Sequence, residues 1–180
     1  MCPFTPVRIL IAEDDEDIAR SYTDLFKARG HSVIITHDGK ECVKTYAVAM
    51  EMAFASKKQN GAAVMPFDVV LLDYRMPNEN GLEVAREILA LNPDQRVIFA
   101  SAYVKDALED SIRRLRHAIE LVEKPFDPQT LIATVEDTKV FAALKQLNAS
   151  LQQIVELDLS DKQQTDLLSN VRRVMKGKSF

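Results

Sequence analysis

Asp68-Val-Val-Leu-Leu-Asp73 is the stretch that most narrows what this chain can fold into. Four branched apolar residues in a row, opened by Phe67 and closed by a carboxylate, fit a short strand buried on both faces of a parallel sheet. The run Tyr74-Arg75-Met76-Pro77-Asn78-Glu79-Asn80-Gly81 follows as a turn, and a helical pattern follows the turn. Asp73 is thereby expected at the carboxyl end of a central strand, the edge at which open α/β sheets bind their ligands. An acid ending a buried strand is costly unless a metal, a cation or chemistry uses it. A simple turn cap is the competing role, and the stretch alone leaves both open.

The flanking sequence repeats the strand-then-helix pattern. Val7 to Ala12 reads as a first strand and ends in five acids, Glu13 to Asp17. Asp15, Glu16 and Asp17 suit the start of a helix, where the dipole favours negative charge. Glu13 and Asp14 come earlier, at the strand end, and two adjacent carboxylates repel there unless a cation binds them. Ile18, Tyr22 and Leu25 give that helix its buried face, and Gly30 stops it. Ser32 to Thr36 is a second strand, flanked by His31 and His37, both read as surface or loop histidines. Val43, Ala47, Met50 and Phe54 mark the inner face of the next helix, and Val84, Ile88 and Leu91 that of the helix opened by Gly81. Arg96 to Ala100 forms a fourth strand, followed by Ser101 and by a helix with Leu108, Ile112 and Leu115 inside. A fifth strand, Ile119 to Val122, runs into Glu123-Lys124-Pro125-Phe126. Five such alternations predict an α/β fold, a parallel sheet with right-handed crossovers and helices on both faces.

One edge of that sheet would then carry Glu13 and Asp14, Asp73, Ser101 and Lys124 at successive strand ends. Carboxylates suit a hard divalent cation such as Mg²⁺, which takes few protein oxygens and keeps several waters. An aspartate attacking a phosphoryl group needs such a cation to neutralise the transferring oxygens. A lysine adds a point charge to those oxygens, and a serine hydroxyl can donate a hydrogen bond to one of them.

In this order the residues resemble the receiver domain of two-component response regulators. The resemblance runs from about Val7 to about Asp137. It is carried by Ile-Leu-Ile-Ala-Glu-Asp-Asp at 9–15, Leu-Leu-Asp-Tyr-Arg-Met-Pro with Gly81, and Glu-Lys-Pro-Phe at 123–126. It implies a flavodoxin-like, doubly wound sheet of order 2-1-3-4-5, with Asp73 as phosphoacceptor. It implies Asp14, Glu13, Asp73 and the Arg75 carbonyl as Mg²⁺ ligands, Ser101 as the switch hydroxyl and Lys124 as the family's lysine. Pro125 would follow Lys124 through a bond that is commonly cis in this family. The implied partner is a sensor histidine kinase or phosphotransfer protein. Two departures stand out. The family's aromatic switch position, three residues before the lysine, holds Leu121, with Tyr103 near Ser101 as the alternative ring. The Asp14–Asp73 spacing is also longer than usual, and the extra length falls between Gly39 and Pro66.

The expected boundaries are a receiver domain over 1–137 and a helical extension over 138–180. Val140, Leu144, Leu147, Leu151 and Ile154 alternate four and three, as in a coiled-coil seam. They predict a long helix continuing the last receiver helix, then a final helix after Ser160 carrying Leu167, Leu168 and Val171. Dimerisation through these helices is expected. Net charge is −4, so no basic field points to nucleic acid, and the basic tail Arg172, Arg173, Lys176, Lys178 reads as solvation. No apolar run is long enough to span a membrane, and Cys2 and Cys42 lack metal-type spacing. A cytoplasmic signalling protein is the reading, not an enzyme in the ordinary sense. The alternatives are a haloacid-dehalogenase-type phosphatase, which Arg75 at the place of its second acid disfavours, and a phosphorylation-independent adaptor of receiver architecture.

Overall fold

The computed structural model describes residues 5–60, 65–77, 80–102, 117 and 119–156. Five short strands, β1 (Arg8–Ala12), β2 (Ser32–Thr36), β3 (Val69–Asp73), β4 (Val97–Ser101) and β5 (Ile119–Glu123), form one sheet in the order β2-β1-β3-β4-β5. All four pairings are parallel. The central strand β3 is buried on both faces, as its apolar run requires. Alternate residues divide between two cores. Leu10, Val70, Leu72, Val97 and Phe99 face α2 (Gly39–Asn60) and α3 (Gly81–Leu91). Ile9, Ile11, Val69, Leu71 and Ile98 face α1 (Glu16–Ala28) and α4 (Pro128–Glu136), whose Phe26 and Leu131 are fully buried. The period-two alternation of strand side chains thus builds a three-layer, flavodoxin-like sandwich.

Local signals fix where the helices start. The Asp15 carboxylate accepts hydrogen bonds from the Asp17 and Ile18 amides, so the third acid of the run is the cap of α1. Asn80 and Glu83 form a reciprocal capping box at α3. Asp127, with Pro128 in the first turn, caps α4.

Several expectations shift. The inner face of α2 is Cys42 and Tyr46, with Val43, Ala49 and Met50 beside them, while Phe54 is 57% exposed. The lengthened region between Gly39 and Pro66 explains this. At about 1.5 Å per residue a helix of this length is about 33 Å long, against about 17 Å for a five-residue strand. The second half of α2 therefore outruns the sheet, leaving Met52 and Phe54 largely exposed. Leu91, in the last turn of α3, is likewise half exposed, and Leu82, Ala85 and Leu89 supply the burial with Val84 and Ile88. His31 sits in a loop but is buried. Its Nδ1 accepts from the Val7 amide at 3.3 Å, and its Nε2 meets Glu136 at 3.2 Å.

The extension does not simply continue the last receiver helix. Asp137, at φ −82° and ψ 88°, ends α4 with its amide on the Ala133 carbonyl. Its carboxylate then accepts from the Lys139 and Val140 amides and starts α5 (Thr138–Glu156). The buried Arg96 guanidinium, paired with Glu120 at 2.6 and 2.9 Å, donates to the carbonyls of Thr134, Val135 and Asp137. One arginine thus satisfies two of the orphan carbonyls that this helix end exposes, and that of the cap residue. The expected helix with Leu108, Ile112 and Leu115, the final helix after Ser160, Tyr103 and Cys2 lie outside the described residues.

Gly81 is where backbone approach is closest. A Cβ there would stand 2.2 Å from the Asp73 carbonyl oxygen and 3.1 Å from the Phe99 ring, and the Gly81 amide donates to the Tyr74 carbonyl at 2.9 Å. Only glycine lets α3 start so near the end of β3. Gly81→Ala is expected to destabilise the protein by about 1–3 kcal/mol, read as a lower urea midpoint with an unchanged slope. An unchanged midpoint would contradict the close approach.

Candidate functional site

The carboxyl ends of β1, β3, β4 and β5 bring the predicted residues to one edge. Glu13 leaves β1 with its amide on the Thr36 carbonyl, which turns the side chain inward, 1% exposed. Asp14, next along, is exposed. Asp73 ends β3 opposite Ala100 of β4, so Ser101, 1% exposed, lies one residue beyond its level. The Lys124 amide donates to the Ser101 carbonyl at 2.8 Å, carrying the β4–β5 ladder one step further. The Lys124–Pro125 peptide is cis, as the resemblance implied.

From that position the Lys124 ammonium reaches across two strands. It donates to the Glu13 carboxylate at 2.7 Å and to the Asp73 carboxylate at 3.1 Å. The other Asp73 oxygen accepts from the Arg75 amide at 3.3 Å. Glu13, Asp14 and Asp73 each offer a carboxylate oxygen, and the three lie within 4.8 Å of one another. A single hard cation can bridge oxygens so spaced.

The electrostatics are those of a site with too little positive charge. Burial pushes the Glu13 carboxyl up to about 7, and the hydrogen bond and charge of Lys124 only partly offset that push. Burial works against the Lys124 charge, but the hydrogen bond it donates to Glu13 and the surrounding negative groups win and hold it charged well above its usual range. Three carboxylates and one ammonium leave a net negative pocket, which a divalent ion would neutralise.

Glu13, Asp14, Asp73, Ser101 and Lys124 all stand at this edge, with Arg75 beside Asp73 and Gly81 beneath it. Leu121 is set apart. It points from the middle of β5 into the core that faces α2 and α3, an aliphatic filler at the family's switch position. Sequence reasoning put Tyr22 only on the inner face of α1. In the fold its ring lies 5.9 Å from the Lys124 Nζ and stacks on Phe126 at 6.1 Å and 20°. No spacing rule could have found that contact, because it joins the second turn of α1 to the loop after β5.

Comparison with known proteins gives the family. The model of the response regulator receiver domain matches residues 9–136. The response regulator receiver protein CpdR of Brucella abortus is 27% identical over 135 residues, covering 75% of this chain and 98% of CpdR. The uncharacterized transcriptional regulatory protein YkoG of Bacillus subtilis is 31% identical over 81% of this chain. The chain spans about half the length of YkoG, 54%, and of RprY of Bacteroides fragilis, 48%. Among solved structures, a CheX–CheY–BeF3–Mg²⁺ complex from Borrelia burgdorferi matches with a TM-score of 0.56 at 26% identity, over 72% of this chain and 87% of that one. A family match of that extent, on a sheet of this strand order, places the chain in the response regulator receiver family of two-component signalling.

Proposed function

We propose that Asp73 is the phosphoacceptor and that the site uses Mg²⁺. The observation that carries this is the Lys124 ammonium shared between Glu13 and Asp73 at the carboxyl edge of the sheet. An Asp73 carboxylate oxygen attacks the phosphorus of a phosphohistidine on a kinase or phosphotransfer protein. The P–N bond breaks with its electron pair returning to the imidazole, and an acyl phosphate forms. Water later attacks phosphorus and returns Asp73 and inorganic phosphate. Lys124 follows the charge onto the phosphoryl oxygens, and the buried Ser101 hydroxyl supplies a hydrogen bond to one of them. Glu13, Asp14, Asp73 and the Arg75 carbonyl are the ligand set for the ion. Bound there, Mg²⁺ would neutralise charge on the transferring oxygens. Arg75, exposed and two residues after Asp73, leaves no general acid at that place, which supports a phosphoacceptor over a phosphatase.

The phosphohistidine partner fits an apolar groove of about 470 Å³ beside the site, lined by Ile18, Tyr22 and Leu25 of α1 and by Pro125 and Phe126. Phosphorylation would switch protein–protein contacts in the cytoplasm. Among the described residues no helix is long and apolar enough to cross a membrane. The output surface we assign is α5, paired between two copies. Phe141, Leu144 and Leu147 of α5 are only half-buried, and its contacts with its own domain include Arg96 over Phe141 and Lys145 on Asp94. Two linked receivers would give an output that does not need the aromatic ring missing at Leu121.

Three outcomes follow. A small acyl-phosphate donor with Mg²⁺ should add one phosphoryl mass to the parent and none to Asp73→Asn. Equal labelling of both, or labelling in chelator, overturns the assignment. Because the Glu13 carboxyl is raised to about 7, its protonated form stabilises the metal-free fold at low pH, and that contribution is lost as pH rises through about 7. Mg²⁺ favours the carboxylate, so the gain in melting temperature on adding it should be larger at about pH 8 than at about pH 6. Glu13→Gln should abolish that difference, and a gain independent of pH would contradict it. Light scattering should find the full chain dimeric and a chain ending near Asp137 monomeric. A monomeric full chain, phosphorylated or not, excludes the pairing through α5.

A further inference from the structure

Lys124 is held on three sides, and the third side belongs to none of the residues the family signature supplies. Glu13 and Asp73 take its ammonium from the strand edge. Beside it lies Tyr22, 7% exposed, with its ring centroid 5.9 Å from Nζ and its hydroxyl near enough for the two to influence each other's charge. A cation over an aromatic face is attracted by the ring's quadrupole, most strongly where water is excluded. Burial keeps the Tyr22 phenol neutral, pushing it up to about 12, so Tyr22 holds the ammonium without adding a charge that would compete for it. The ring is stacked in turn on Phe126, two residues past Lys124 across the cis peptide. Both rings line the groove beside the site.

We infer that Tyr22 is a positioning residue for the phosphoryl chemistry, holding the Lys124 ammonium at the strand edge and linking its position to Phe126 and the groove. Lysine has a flexible four-carbon stem, and an ammonium that must meet developing negative charge acts best when its stem is already placed. The two carboxylates hold the ammonium from the strand edge alone. Tyr22 adds a contact from α1. When a phosphoryl group draws the ammonium outward, the ring loses its cation and the Tyr22–Phe126 stack is free to resettle. At Leu121, by contrast, an aliphatic side chain is packed into the opposite core.

This inference rests on Asp73 being the acceptor, and a double-mutant cycle tests it separately from that reading. The rate of Asp73 labelling by a small acyl-phosphate donor with Mg²⁺ is followed by intact mass. It is measured in the parent, Tyr22→Phe, Tyr22→Leu, Lys124→Ala and both Tyr22 changes combined with Lys124→Ala, with thermal melts as the check on folding. Tyr22→Leu should slow labelling at least fivefold, and Tyr22→Phe, which keeps ring and stack, two- to threefold. Neither change should slow it further once Lys124 is alanine. A merely structural tyrosine would give losses that persist undiminished in the Lys124→Ala background, and that result overturns the inference. So does a folded Tyr22→Leu with the parent's rate. If Tyr22→Leu does not fold, Tyr22→Phe decides, a loss confined to the Lys124 background supporting the inference and no loss overturning it. A parent that takes no label overturns the phosphoacceptor reading, and this inference with it.

Discussion

Glu13 and Asp73 end neighbouring strands, β1 and β3, and their carboxylates would push that edge of the sheet apart if nothing positive stood between them. The Lys124 ammonium stands there, 2.7 Å from one and 3.1 Å from the other. In a site this shielded such pairs are strong, because little water remains to screen them, and unpaired they would be costly for the same reason. The contact constrains the rest of the molecule. Lys124 lies beyond β5, two strands away from β3, so it reaches Asp73 only if β4 and β5 are in register. The Lys124 amide on the Ser101 carbonyl sets that reach. Close packing of α3 at Gly81 keeps the Asp73 end of β3 in place from the other side.

A second ionic knot lies at the amino ends of the strands, and its purpose is structural. Arg96 and Glu120, each about 95% shielded, pair bidentately, and Arg96 spends its remaining donors on the last carbonyls of α4. Nearby, Arg29 and His31 both hold the Glu136 carboxylate, which lies below its ordinary range mainly through the Arg29 hydrogen bond. Every buried side-chain polar atom among the described residues finds a partner, which is what lets so many charges sit inside a small domain. The two knots divide the work. The upper one leaves negative charge unneutralised and so invites a cation. The lower one is closed.

Much of this was legible in the sequence because short, buried, parallel strands write their pattern plainly. Val-Val-Leu-Leu before Asp73 reads as a two-face-buried strand, and acids, serine and lysine at successive strand ends point to one edge once the sheet is parallel. The start of α1 was legible too, since Asp15 acts locally. What was not legible depends on length and on distance. The inner face of α2 shifted because the helix outruns its sheet, a fact of geometry that periodicity alone does not carry. His31 looked like a loop histidine because its partners, Val7 and Glu136, come from the two ends of the domain. Asp137 looked like one residue of a continuous helix, because the arginine that stops α4 lies far away in sequence at position 96. Tyr22 was hidden for the same reason.

Asp137 ends one helix with its amide and begins the next with its carboxylate, and Arg96 holds the carbonyl between them. Such a residue is a joint whose two sides are specified independently. Everything that fixes α4 lies upstream of it, and the start of α5 asks only for two free amides. A different helix beginning at 138 would meet the same cap, while the packing of Phe141 and Lys145 on the domain sets the line along which this one leaves. The receiver thus carries at its exit a joint whose cap does not depend on the helix attached to it, set apart from the acidic edge at the other end of the sheet.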